Sequence, residues 1–197
     1  MKGKKETYVL IGICFVLVVL TIFLKKENNH TTTKIGQVID NLNGVKVYYN
    51  GPYSNISGRN WTKDHYNLGL KYQCVEFVKR YYYENLNHKM PESYGHAKDF
   101  FDKNIKDGAF NKRRGLNQYN NSSKAKPKVN DLLIFSGTVF NKFGHVAIIS
   151  KVKEDEIEII QQNAGSSTNS RETFSLVRKT SKWTIDNYRI LGWLCKE

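Results

Sequence analysis

Tyr72-Gln73-Cys74-Val75-Glu76-Phe77-Val78-Lys79-Arg80 is the stretch whose reading decides the fold of this chain. From Cys74 onward, Phe77, Val78, Tyr81 and Tyr82 recur at helical spacing, so they share a face with the thiol. The spacing predicts an amphipathic helix from Cys74 to about Leu86, with the cysteine in its first turn. A thiol there is held rigidly against a core, and its backbone lies at the positive end of the helix dipole. That field favours thiolate, the nucleophilic form, and predicts a Cys74 pKa below that of an ordinary thiol. A small buried apolar residue is the blander role for a cysteine.

Downstream of this helix, a second helical stretch is expected over 94–101, and 111–128 reads as a polar loop closed by Pro127. Strands are expected at 131–135, 145–152, 156–162, 172–176 and 189–194. Upstream, 45–51 reads as a strand following a short segment at 35–40, split by Asn-Leu-Asn-Gly turn chemistry. Residues 51–71 read as a long surface loop leading to Cys74. Helix first and antiparallel strands after predict an α+β fold, the Cys-bearing helix packed on one face of an antiparallel sheet.

Residues 8–24 (YVLIGICFVLVVLTIFL) carry no charge and are flanked by lysines. At about 1.5 Å per residue the run reaches the lower limit for spanning a bilayer. No small-x-small cleavage site follows it, and Ile13 before Cys14 argues against lipid attachment. The expected organisation is one transmembrane helix within an N-terminal signal anchor (1–26), a polar tether (27–34) and one domain (35–197). Three lysines before the run against two after it place the domain outside the cytoplasm, with the membrane as a partner through the N-terminal helix.

A net charge of +13 favours polyanionic surroundings, but lysines and arginines are scattered over the 197 residues. No specific nucleic acid is therefore expected as a partner. Three cysteines are too few for a disulfide scaffold. A Cys74–Cys195 bridge is the alternative that would remove the thiol.

A thiolate nucleophile needs a base within hydrogen-bond reach. Of five histidines, His30 falls in the tether, and His65, His88 and His96 fall in or near loops and exposed turns. His145 opens an apolar strand behind Gly144. The strand turns near Glu154-Asp155 and returns toward the His145 end, carrying Ile157, Ile159, Gln161 and Asn163 on one face. Either Gln161 or Asn163 is placed to hold one ring nitrogen and aim the other at sulfur. No His/Cys/carboxylate cluster has metal-ligand spacing, so no cofactor or metal is expected.

The ordered set YQCVEFVKR, NDLLIF, GHVAII, a strand ending QQN, and a closing ILGW resembles the CHAP domain, a cysteine, histidine-dependent amidohydrolase/peptidase of papain-like fold. The segments GVKVYY and YNLG look most like the amidase domain of bacterial glutathionylspermidine synthetase/amidase. The resemblance implies Cys74 as nucleophile and His145 as general base. It implies an orienting carboxylate two residues before Asn163, where this chain has Gln161. It implies a substrate-binding arginine where this chain has Lys79, which keeps the charge without the planar fork. Backbone N–H groups near Cys74, with the Gln73 side chain, would hold the oxyanion. The activity implied is hydrolysis of amide bonds in peptidoglycan peptides. The alternatives are a polyamine-conjugate amidase or a catalytically weakened binding module.

Overall fold

The computed structural model describes residues 33–165 and 169–197. The chain divides into Met1–Thr33 and Lys34–Glu197. The apolar run at 8–24 and most of the tether lie outside the described residues. Among the described residues no helix is long and apolar enough to cross a membrane.

The described unit begins with a hairpin, β1 (Val38–Leu42) and β2 (Val45–Tyr48), paired antiparallel with Leu42 opposite Val45. The loop is Asn43-Gly44, both at positive φ (48° and 83°), the turn that matches strand twist. A second small hairpin, β3 (Arg59–Trp61) and β4 (Asn67–Leu70), follows inside the stretch expected to be loop. It feeds the only α-helix among the described residues, α1 (Cys74–Leu86). This helix ends at Asn87, whose left-handed backbone lets its N–H reach the Tyr82 carbonyl.

Beyond α1 the chain makes a short 3-10 turn (Ala97–Phe100) rather than the expected helix over 94–101. Gly95 at φ +115° keeps the chain from entering the turn any earlier, and Asp99 caps the His96 N–H. The main sheet comprises β5 (Phe110–Asn111), β6 (Leu116–Asn120), β7 (Leu132–Phe135), β8 (His145–Val152), β9 (Glu156–Ile160), β10 (Arg171–Lys179), β11 (Lys182–Ile185) and β12 (Ile190–Cys195). Its order is β11-β10-β9-β8-β7-β12-β6-β5, every neighbour antiparallel.

Within the main sheet, β5, β6 and β11 depart from the sequence reading. β6 lies in the stretch expected to be polar loop, because one of its inward positions is Gln118, fully buried but hydrogen-bonded to Asp102 and Asn111. β11 was not expected; its Ile185 is fully buried between polar neighbours.

Alternation along β7 sends Leu132 and Ile134 to one face and Leu133 and Phe135 to the other. The first face joins Val146, Ile148 and Ile160 beneath Phe77, Val78, Tyr81 and Tyr82 of α1. Those four helical positions are fully buried. Removing such side chains from water stabilises the pairing of helix and sheet by ~1.5–3 kcal/mol each. α1 is thereby pinned with its N-terminus over the start of β8.

Candidate active site

Gln73 precedes α1 in extended conformation (φ −86°, ψ 159°) and makes no side-chain cap. First-turn N–H groups have no intrahelical partner, and those of Cys74 and Val75 turn toward the Cys74 sulfur, where an attacked carbonyl oxygen would form. Cys74 is partly exposed and unbridged, and Cys195 is also a free thiol. The Cys74 thiol departs from the sequence expectation. Burial pushes it up to about 11, offset only in part by backbone N–H groups of Val146, Val75 and Cys74. The helix end favours the anion, but the loss of solvent around sulfur outweighs it.

His145 is the first residue of β8, opposite Phe135 of β7. Gly144 holds φ +74°, and a Cβ there would sit 2.6 Å from the Phe135 carbonyl oxygen. The strand can enter this close only through glycine. Gln161 Oε1 lies 2.9 Å from His145 Nε2. An amide oxygen only accepts, so Nε2 carries the proton and Nδ1 is left as the basic nitrogen. The Gln161 amide is itself oriented, because its Nε2 donates to Glu172 Oε2 at 3.3 Å. Burial pushes the imidazole down to about 4; the Gln161 bond opposes this and the Arg189 charge adds to it. The resting pair is thus neutral thiol and neutral imidazole.

Cys74, His145, Gln161, Asn163 and Gln73 all line one cavity of about 870 Å³. Asn163 does not meet the imidazole. Its Nδ2 donates to the Tyr53 carbonyl at 2.9 Å and to Gln73 Oε1 at 2.6 Å, leaving its buried Oδ1 without a partner. Gln73 Nε2 in turn donates to the Asn55 carbonyl at 2.6 Å, so this amide holds the loop beside the cavity.

Lys79, expected to contact substrate, does not line the cavity. It is 1% exposed, with Nζ donating to the carbonyls of Asn67 and Ser93 and facing the Tyr66 ring. Burial pushes it down to about 7, and the charges of Arg114 and Arg59 contribute. Its position at the middle of α1 points it behind the cavity wall, not into the cleft.

Several residues escaped the sequence reading. Glu172 stands opposite Ile159 across β9 and β10, and a register for that hairpin would have brought it near Gln161. Gln162 is fully buried; its Nε2 donates to the Gln73 carbonyl (3.1 Å) and to Glu76 Oε2 (2.9 Å), and its Oε1 accepts from Tyr48 N (2.7 Å). Glu76, also buried, pairs with Arg80 at 2.6 Å and accepts from Asn60 at 2.8 Å. This network ties the first turn of α1 to the end of β9. The i,i+4 spacing of Glu76 and Arg80 was its visible signal.

Comparisons with known proteins give the family. Trypanothione synthetase of Crithidia fasciculata is 32% identical over 119 residues, covering 60% of this chain and 18% of that protein. The bifunctional glutathionylspermidine synthetase/amidase of Escherichia coli (strain K12) is 27% identical over 191 residues, covering 87% of this chain and 30% of that protein. This chain therefore spans less than a third of either relative. The crystal structure of Ly7917 overlaps 38% of this chain and 30% of its own at TM-score 0.28 and 22% identity, too little to bear on shape. The family model of the CHAP domain matches residues 63–163, just over half of the chain and the span that holds Cys74, His145 and Gln161. This chain belongs to the CHAP domain family.

Proposed function

We propose that this protein is a cysteine amidase in which Cys74 attacks an amide carbonyl and His145 takes the thiol proton. The observation that carries this reading is the hydrogen bond from His145 Nε2 to Gln161, which leaves Nδ1 basic in the cavity that Cys74 lines. With both groups neutral at rest, proton transfer accompanies attack rather than preceding it. Sulfur forms the bond to carbon, Nδ1 takes the proton, and the oxyanion forms beside the N–H groups at the start of α1. Imidazolium then protonates the leaving amine. Water, deprotonated by the restored imidazole, releases the acyl group from sulfur. Asn163 Oδ1, an orphaned acceptor in the wall, suits a substrate N–H.

The substrate reading we favour is the peptide of peptidoglycan. The support is the charge of +13 and the apolar run at 8–24, read as a signal anchor holding the domain of 35–197 outside the cytoplasm. A second reading, a polyamine-conjugate amidase, draws on the matched glutathionylspermidine synthetase/amidase. Turnover of muropeptides and of glutathionylspermidine by the purified chain, beside Cys74→Ala, tests both. Release of amine by the parent alone is expected, and equal rates from the two proteins overturn the amidase assignment.

A further inference from the structure

Arg189 lies just before β12 and lines the same cavity as Cys74 and His145, outside the span matched by the family model. Its guanidinium carbon stands 5.9 Å from the Phe135 ring centre, and that ring stands 5.8 Å from the His145 ring. Arg80, Arg113 and Arg171 each hold a carboxylate. Arg189 holds none among the described residues. Its Nη2 reaches only the Ser136 carbonyl, at 3.4 Å, and its Nε is buried without a partner. A desolvated guanidinium donor without an acceptor is costly, and a carboxylate is the group whose geometry fits it. The other charged side chains in the lining are accounted for: Arg59 donates to Asn67 and stacks on Tyr94, and Glu172 accepts from Gln161.

We propose that Arg189 anchors a free carboxylate on the substrate, so that the amides taken by this cavity are those bearing an acidic group near the scissile bond. This deepens the amidase reading and rests on it for the word substrate. The anchor also has a consequence for the base. The Arg189 charge depresses proton affinity at His145. A carboxylate seated on Arg189 cancels that charge, so a cognate substrate makes His145 a stronger base as it binds.

Alkylation of Cys74 reads the anchor without turnover. Sulfur displaces iodide from iodoacetate or iodoacetamide, forming an S–C bond as the C–I bond breaks and iodide leaves with the electron pair. The two reagents share a leaving group and differ in one negative charge. In the full chain, the rate ratio of iodoacetate to iodoacetamide at Cys74, followed by mass spectrometry, is expected to fall about tenfold in Arg189→Gln. The iodoacetamide rate should not fall with it, since losing the Arg189 charge also makes His145 a stronger base, and Arg189→Lys should keep part of the preference. Lys182→Gln, which removes an exposed charge on β11, should leave the ratio as it was. The parent ratio should also decline as salt rises, a reading that needs no variant. A ratio unchanged in Arg189→Gln, a loss matched by Lys182→Gln, or a salt-independent ratio in the parent overturns the anchor. If the ratio behaves as expected while no amide is hydrolysed, the amidase reading fails and the anionic subsite stands. If amides are hydrolysed, Arg189→Gln should raise KM for a carboxylate substrate and not for its carboxamide analogue.

Discussion

Gln161 Oε1 accepts the Nε2 proton of His145 at 2.9 Å, in a place where the CHAP resemblance implies a carboxylate. A neutral amide orients the ring but does not stabilise imidazolium by charge. Charge is nonetheless close, because Gln161 passes its own N–H to Glu172 at 3.3 Å. The carboxylate sits one hydrogen bond further out, and its effect is to stop the amide from flipping. A flipped Gln161 would present N–H to N–H and favour the other tautomer of His145.

Truncating that second partner should cost catalysis rather than folding. Glu172→Ala is expected to lower kcat by roughly threefold to tenfold with little change in KM, as expected for losing a hydrogen bond worth about 1 kcal/mol. Gln161→Glu alone sets two carboxylates side by side, which repel and draw a proton into the pair. Gln161→Glu with Glu172→Gln removes the clash and should exceed the Gln161→Glu single variant in kcat. Strictly additive effects in this cycle would show that the two side chains are not coupled.

The resting protonation state gives a pH prediction with a definite sign. Cys74 is pushed up to about 11 and His145 down to about 4 by burial. Alkylation of the free protein by iodoacetamide should keep rising above pH 9, without the plateau in mild acid that a preformed ion pair produces. Loss of activity by protonation of the base should be confined to the region near pH 4. For stability, the unfolded ring titrates at 6.5 and the folded ring at about 4. Between those values the unfolded state binds more protons, so this group lowers stability as pH falls from about 6.5 to about 4. Denaturant melts of the parent against His145→Gln isolate that contribution.

Period carried most of what the sequence reveals here. The 3.6-residue spacing of Phe77, Val78, Tyr81 and Tyr82 and the apolar runs of β7, β8 and β9 mark a helix on an antiparallel sheet. The same hairpin arithmetic brings Gln161 back to His145. The reading failed where buried polar residues break the pattern. Gln118 hides β6, and the polar neighbours of Ile185 hide β11. Asn67, 2% exposed, makes β4 read as loop. Lys79 stands where the resemblance implies a substrate-binding arginine, yet its amine is buried and bonded to the Asn67 and Ser93 carbonyls. The Cys74 thiol looked acidic from the helix end alone, because sequence does not show how far a sulfur is desolvated.

The buried Glu76–Arg80 pair connects the first turn of α1 to its surroundings, and breaking it should be felt in stability. Side-chain exposures of 2% and 8% leave either charge with no solvent to fall back on. Arg80→Leu strands the Glu76 carboxylate and should cost ~3–5 kcal/mol in urea unfolding. Glu76→Gln with Arg80→Leu removes both charges and should recover part of that loss. A single variant within 1 kcal/mol of the parent, on the order of a surface pair, would show that the network does not hold the helix.

Lys79 separates a structural role from a substrate contact. Its amine bonds Asn67 and Ser93, and Ser93 lines the cavity, so the lysine braces the wall from behind. Lys79→Met should leave KM within about twofold for any substrate the protein accepts, since a side chain outside the cavity makes no ground-state contact. Its signature lies in the pH dependence of stability. The folded amine titrates near 7 and the unfolded one at 10.5. Between these values the unfolded chain binds more protons, so this group's contribution rises with pH and is complete above 10.5. The stability gap between parent and Lys79→Met should therefore widen from about pH 7 to about pH 10.5. A gap that is flat over that range, together with a large rise in KM, would return Lys79 to the substrate.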